Sequence, residues 1–338
     1  MNEVLLYKKL ANNAVQCHLC QRDCVIKNGE KGYCSTRVNN NGKLFSLIYG
    51  KVSSLAVSPI EKKPVYHFFP GSKWLSLGSF GCNFLCPGCQ NWDIAHAGVK
   101  DMVKTARYFS PEKLIRLAKQ SQCKGISWTY NEPTLWLEYF LDCAKLAKRN
   151  QFYTNWVTNG FITLEALDLI GPYLDVFRVD LKGFSRDSYK KIAHVQDFSE
   201  TLEVIKKAVK KWGMHVEIIT NVIPGYNDNE EDIRKMASWI CKELGNETPW
   251  HITRFHPHLD LSHVNPTPIK ILEKFRQIGL NEGLYYVYLG NVYSHEGEST
   301  YCPGCKKRII HREGFDIRKS DLKDGRCNSC NFLIKGKF

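Results

Sequence analysis

No apolar run in the 338 residues approaches the roughly 18 that a membrane-crossing helix needs. The first residues, Met1-Asn-Glu-Val-Leu-Leu-Tyr-Lys-Lys, carry neither the apolar core nor the small-residue cleavage site of a secretory signal. A cytoplasmic chain with no membrane partner is therefore expected. Acidic residues are outnumbered, with 34 Asp and Glu against 47 Lys and Arg, for a formal charge of +13. Such an excess is either a solvated basic surface or an anion-binding face. Charge alone does not decide between them, and no nucleic-acid partner is expected from it. Apolar content of 43% and charged content of 24% are those of an ordinary globular chain.

Cysteine is plentiful, yet a disulfide scaffold is excluded by its distribution. Eleven of the 14 cysteines fall into three groups with metal-ligand spacing. Cys17, Cys20, Cys24 and Cys34 form Cys-x2-Cys-x3-Cys-x9-Cys, and Asn28, Gly29 and Gly32 let the chain turn back so that the fourth thiol reaches the others. Zinc and an auxiliary iron–sulfur cluster both fit this set. Cys302, Cys305, Cys327 and Cys330 are two Cys-x2-Cys knuckles of zinc-ribbon or rubredoxin type, with the Arg308–Ile317 stretch available for a small sheet. This closed set suits structural zinc, with iron as the other choice. The third group, Cys82, Cys86 and Cys89, has an odd count. A cubane [4Fe–4S] cluster held by three thiolates keeps one iron open for another ligand. The remaining Cys123, Cys143 and Cys241 sit in apolar helical contexts and are expected to be buried core thiols. A three-thiolate cubane at about −1 and two four-thiolate centres at about −2 each would leave the loaded chain near +8.

The chain reads as three segments. Residues 1–70 form a four-cysteine module with short strands at Lys43–Tyr49, Val52–Val57 and Pro64–Phe69. Residues 71–290 alternate strands and helices. Strands are expected at Leu75–Gly78, Gly125–Thr129, Tyr153–Thr158, Val176–Leu181, Val216–Val222, His251–Phe255 and Tyr285–Leu289. Ser110-Pro-Glu, Pro133 and Asp228-Asn-Glu-Glu231 mark helix starts, the last as a capping box opening a helix to about Leu244. Residues 291–338 hold the C-terminal knuckles. Repeated βα units predict an α/β fold with a parallel sheet, and six or seven strands predict a partial (β/α)6 barrel. In such a fold function gathers at the C-terminal strand ends. The unusual polar residues fall there: the Cys82 loop, Asn131 and Glu132, Thr158 and Asn159, Arg178 with Asp180 and Lys182, Asn221, and His256.

Cys-x3-Cys-x2-Cys after a first strand, followed by a partial barrel, resembles the radical S-adenosylmethionine (SAM) enzymes. The resemblance implies a [4Fe–4S] cluster on Cys82, Cys86 and Cys89, with SAM chelating the open iron. It implies oxidoreductase chemistry in which reductive SAM cleavage yields a carbon radical, 5′-deoxyadenosyl in most of the family, that takes hydrogen from a substrate. A reductant such as ferredoxin or flavodoxin is the implied partner. Residues 75 to about 260 are most similar to pyruvate formate-lyase activating enzyme and its relatives. By that likeness Glu132 of Tyr-Asn-Glu-Pro meets the SAM amino group, where relatives have Gly-Gly-Glu-Pro. Thr158-Asn-Gly160 and the pair Asp180 and Lys182 lie near SAM, Val222–Tyr226 lines the adenine, and His256 stands near the methionine moiety. The sequence departs from the pattern at Gly88, where an aromatic residue usually touches the adenine and for which Trp92 or Tyr226 is the candidate substitute. It departs also at Tyr130-Asn131, at Val157 in place of a cation-site Asp, and at Arg178, whose guanidinium would stand in for that cation.

The whole chain is similar to the AmmeMemoRadiSam-system radical SAM proteins. The likeness rests on the N-terminal cysteines, Pro59-Ile-Glu-Lys-Lys-Pro64-Val-Tyr-His-Phe68, Phe80-Gly-Cys-Asn83, Cys89-Gln-Asn-Trp92, Thr129–Pro133 and Thr300-Tyr-Cys-Pro303. It implies Memo-like and AMME-type partners. Three other readings stay open at this point: a glycyl-radical activase, a radical SAM enzyme that modifies RNA, and a metal-binding adaptor without catalysis.

Overall fold

The computed structural model describes residues 2–96, 99–293 and 295–338. The chain folds as two compact units. One comprises Met1–Ser58, Lys73–Phe177 and Asp197–Met214; the other comprises Pro59–Ser72, Arg178–Gln196 and His215–Phe338. No helix among the described residues is long and apolar enough to cross a membrane.

The first unit begins with small antiparallel pieces. Strands β1 (Arg37–Asn40) and β2 (Lys43–Ser46) pair as a hairpin with Asn40 opposite Lys43. The two residues between them, Asn41 and Gly42, have φ of 52° and 76°. This left-handed pair matches the twist of the flanking strands, and Asn-Gly adopts it at little cost. The Asn-Gly pair that signals this hairpin stands in the sequence just before the expected Lys43–Tyr49 strand. Next come β3 (Ser54–Pro59), β4 (Lys73–Gly78), β5 (Gly125–Trp128) and β6 (Tyr153–Thr158), hydrogen-bonded to one another in that order. The pairs β4–β5 and β5–β6 are parallel. Every residue of β5 is buried, as are four of six in β6, which is the pattern of a strand covered on both faces by crossover helices. Helix α1 (Pro111–Gln120) starts where expected, with the Ser110 hydroxyl accepting from Lys113 N at 3.3 Å and proline in the first turn. Pro133 opens a 3-10 turn that runs into α2 (Leu137–Arg149). Helix α3 (Ser199–Lys210) buries Thr201, Val204, Ile205 and Ala208, a single apolar stripe. The chain passes between the units inside β7 (Val176–Asp180).

In the second unit β8 (His215–Val222), β9 (Trp250–Arg254) and β10 (Val287–Gly290) pair in parallel. Helix α4 (Glu230–Trp239) is capped by Asn229, whose side chain accepts from Glu231 N and Asp232 N at 2.9 and 3.2 Å. The cap is thus one residue later than Asp228. Asp228 instead accepts from Gly225 N in the preceding turn, and the helix closes in a π turn at Ile240–Leu244. The ribbon carries an antiparallel pair, β11 (Arg308–Glu313) and β12 (Asp316–Ser320), where the small sheet is expected. The seven strands expected between residues 71 and 290 are present to within a residue or two, and the α/β class with a parallel sheet holds.

Two expectations are corrected. Pro64–Phe69 is not a strand. Its N–H groups at Tyr66 and His67 are taken by one side chain, Glu217 of β8, both at 2.8 Å, so they are not offered to a neighbouring strand. Glu217 is fully buried and also accepts from His215 Nε2 at 2.9 Å and His251 Nε2 at 2.6 Å. Cys123 and Cys143 are buried, but Cys241 is only half-buried, because its turn is the π turn at the end of α4.

Candidate functional site

In the first unit the cysteine loop follows β4 and is folded tightly before any cofactor is considered. Gly81 has φ +78°, and a Cβ there would lie 2.4 Å from Thr36 Cγ2 and 2.7 Å from the Cys34 carbonyl, so only glycine fits. Gly81 N donates to Ile94 O at 2.8 Å and Cys89 N to Cys86 O at 3.2 Å, which closes the loop on itself. Asn131 braces it from the end of β5: its Oδ1 accepts from Ser79 N and its Nδ2 donates to Gly81 O, both at 2.9 Å. Asn91 Nδ2 donates to Tyr130 O at 2.7 Å. Tyr130 itself holds φ +75°. That conformation is one glycine enters freely and other residues adopt rarely.

Glu132 lies at the centre of these contacts. Its Oε1 accepts from Thr134 N at 3.0 Å, Thr134 Oγ1 at 2.6 Å and Thr158 Oγ1 at 2.7 Å; its Oε2 accepts from Asn159 N at 2.9 Å. Burial pushes this carboxyl up from its usual range, and the bonds from Asn159, Thr134 and Thr158 hold it back. Asn159 Nδ2 also donates to Asn83 Oδ1 at 2.7 Å, next to Cys82. The Cys82 sulfur accepts from Phe84 N at 3.4 Å. Burial, and after it the Glu132 charge, push the Cys82 thiol well above its usual range. A thiolate here needs a cation, and a metal centre supplies one. The structure thus brings together Cys82, Asn131, Glu132, Thr158 and Asn159 as expected. It adds Asn83, Asn91 and Thr134, for which only proximity in sequence to the motifs was a signal. The candidate aromatic Trp92 is 48% exposed at the start of a short helix.

In the second unit Arg178, Asp180 and Lys182 form one cluster at the end of β7. Arg178 Nη1 reaches Asp180 Oδ2 at 2.5 Å, and Lys182 Nζ lies 3.8 Å from Asp180 Oδ1. Against burial, Arg178 and then Lys182 hold the Asp180 carboxyl below its usual range. Arg178 Nε is buried without a hydrogen-bond partner. Asn221 accepts from Thr253 Oγ1 at 3.4 Å. Asn227, which the sequence reading overlooked, donates to the carbonyls of Lys182 and Asn221, both at 2.9 Å, and so fixes these two strand ends. His256 is half-buried two residues beyond β9 and makes no hydrogen bond among the described residues.

The C-terminal quartet is a metal site. The sulfurs of Cys302, Cys305, Cys327 and Cys330 all lie within 4.8 Å of one another. Both knuckles have the same turn: Lys306 N donates to Cys302 O at 2.9 Å and Asn331 N to Cys327 O at 2.8 Å, and Lys306 and Asn331 share φ of 62°. Cys302 and Cys330 stand 3.5 Å apart and Cys305 and Cys327 3.7 Å. Tetrahedral thiolates at a metal–sulfur distance of about 2.3 Å stand about 3.8 Å apart.

Comparison with known proteins agrees with this geometry. The family described as "Radical SAM superfamily" matches residues 77–240. The uncharacterized protein MJ0808 of Methanocaldococcus jannaschii is 43% identical over 336 residues, 99% of each chain. Pyruvate formate-lyase-activating enzyme of Clostridium pasteurianum is 28% identical over 184 residues, 52% of this chain and 72% of that one. A radical SAM methyltransferase from Sphaerobacter thermophilus has a similar fold, with TM-score 0.51 at 15% identity over 67% of this chain and 68% of that one. The chain aligns over 99% of MJ0808, and its residues 77–240 form a radical SAM domain, of the superfamily whose members are enzymes that cleave SAM.

Proposed function

We propose that the chain is a cytoplasmic radical SAM enzyme whose substrate is a partner protein. The observation that carries the reading is the braced cysteine loop: Asn131 holds its backbone at two points while Glu132 and Asn159 stand beside Cys82. The residues present fit the [4Fe–4S] group, since three thiols on one loop leave a coordination position for SAM. When bound, the cluster supplies one electron for reductive cleavage of SAM, and the resulting carbon radical abstracts hydrogen from substrate. Cys82, Cys86 and Cys89 hold the cluster in this reading. Among the cofactor-binding residues, Glu132 receives the SAM ammonium, with Asn131, Thr158 and Asn159 orienting it. Asp180, Lys182, Asn221 and His256, in the second unit, are further candidate cofactor-binding residues. Arg178, ion-paired to Asp180, has an unpartnered Nε that suits a carboxylate.

A protein substrate is favoured by the likeness to pyruvate formate-lyase-activating enzyme, and glycyl-radical activation is its sharpest form. A ferredoxin- or flavodoxin-type reductant and the Memo-like and AMME-type partners of the AmmeMemoRadiSam system belong to the same proposal. The three segments 1–70, 71–290 and 291–338 are then metal module, catalytic barrel and ribbon. The ribbon quartet, with its single-ion spacing, holds zinc.

The test is anaerobic reconstitution with SAM and dithionite, with products read by mass spectrometry. 5′-Deoxyadenosine formation dependent on Cys82, Cys86 and Cys89 supports the reading. Intact SAM after full reduction sinks it. A persistent glycyl radical on a mixed-in partner protein would establish the activase form, and cleavage without any partner-centred radical would remove it.

A further inference from the structure

We infer that the pocket walled by Cys17, Cys20, Cys24 and Cys34 takes a second iron–sulfur cubane, with Arg37 as its hydrogen-bond donor. This rests on the chain being an iron–sulfur protein of the radical SAM superfamily, but on none of the roles proposed for its SAM contacts.

The four thiols line one pocket of the first unit together with Arg37 and Asn83. Their spacing separates them from the C-terminal quartet. There, four sulfurs fit within 4.8 Å of one another; among the described residues no three of the N-terminal sulfurs do, and neither do the three of Cys82, Cys86 and Cys89. One ion draws its thiolates to about 3.8 Å from each other. In a cubane each thiolate binds a different iron, so the sulfurs stand farther apart. Neither the N-terminal set nor the cluster loop packs three sulfurs as closely as the C-terminal quartet.

Arg37 supplies the second, independent observation. Its side chain is 1% exposed, and its Nη2 donates to both oxygens of Glu138 at 2.9 Å. Its Nε and Nη1 are buried and have no hydrogen-bond partner. A buried donor left unmet costs stability. Both belong to a side chain on the wall of the cysteine pocket, so the acceptor they lack is what the pocket holds. Cluster sulfides and thiolate sulfurs are such acceptors, and N–H bonds to them raise a cluster's reduction potential. The Cys82 loop also borders the pocket through Asn83: Arg22 Nε donates to Asn83 O at 3.0 Å, and a Cβ on Gly81 would meet the Cys34 carbonyl.

The test uses the full chain with Cys82, Cys86 and Cys89 all changed to Ala, reconstituted anaerobically with iron and sulfide. About four iron and four sulfide per chain are expected, against about eight of each in the unaltered protein, with a paramagnetic signal on dithionite reduction. Sulfide is counted because a single ion brings none. Zinc without sulfide in the altered chain overturns the inference. An unaltered protein with about four sulfides and an altered one with none also overturns it, and leaves the catalytic cluster standing. About four sulfides in both proteins supports the second cluster and sinks the catalytic one. Placed on the altered chain, Arg37→Lys keeps the charge facing Glu138 but loses the fork. The cluster's midpoint potential is then expected to fall, and an unchanged potential removes Arg37 from the site.

Discussion

Glu132, in the loop after β5, and Glu217, within β8, are both buried carboxylates, and they are held in opposite ways. Glu132 accepts from two hydroxyls and two backbone amides, all neutral. Burial wins there, and the carboxyl is pushed up. Glu217 accepts from two backbone amides and two imidazoles. Against the same burial, His215 and His251 hold it well below its usual range. Burial also keeps the His251 imidazole below its own usual range, so His251 is neutral and donates through Nε2. Glu217 is a satisfied anion that locks residues 66 and 67 in place. No cation among its hydrogen-bond partners offsets the burial of Glu132, and in the proposed function a SAM ammonium takes that place. The contrast between a brace and a proposed binding group lies in what each carboxylate still lacks.

The largest effect is expected at the brace. Glu217→Ala leaves two amides and two imidazoles without an acceptor and should cost about 3–5 kcal/mol in urea unfolding. A loss below about 1 kcal/mol would mean that this network does not hold the 59–72 segment. Glu132→Gln keeps the shape and should cost only about 1–2 kcal/mol of stability, while SAM affinity of the reconstituted protein, read by calorimetric titration, drops about tenfold to hundredfold. A stability loss of about 3–5 kcal/mol, as large as that at Glu217, would make Glu132 a brace as well.

The pH dependences should have opposite signs. Glu217 titrates below the ordinary 4.5 in the folded state. Its contribution is therefore present above pH 4.5 and lost as the pH falls through the folded value. Glu132 titrates above 4.5 when folded, so its contribution is complete below 4.5 and lost as the pH rises through the folded value. Urea midpoints across this range should show a shallower acid limb in Glu217→Gln and a flattened decline above 4.5 in Glu132→Gln; the reverse assignment would break the comparison. The smallest effect is expected for Thr158→Val, which removes one hydroxyl donor from Glu132. It should cost about 1 kcal/mol and move the acid limit of SAM binding upward, and an unmoved limit would show that this hydroxyl does not act on the carboxylate.

Local chemistry wrote much of this protein into its sequence. Cysteine spacings mark the three ligand sets, because two or three intervening residues are what one turn needs to present two thiols to one centre. Strands such as Tyr153–Thr158 and the Ser110 cap are likewise legible, because periodicity and capping act within a few residues. The strand-end positions of Glu132, Asp180 and Lys182 followed from the βα alternation alone. What only the tertiary structure decided is which distant groups meet. Glu217 bonds amides about 150 residues away, Arg37 pairs with Glu138 across 101 positions, and Asn227 ties two strand ends that share no motif. No local pattern encodes such pairs, because a buried polar group must find its partner wherever packing has removed water from both. The pocket of the N-terminal cysteines is closed in the same way, by Arg37 and by Asn83 from a distant loop.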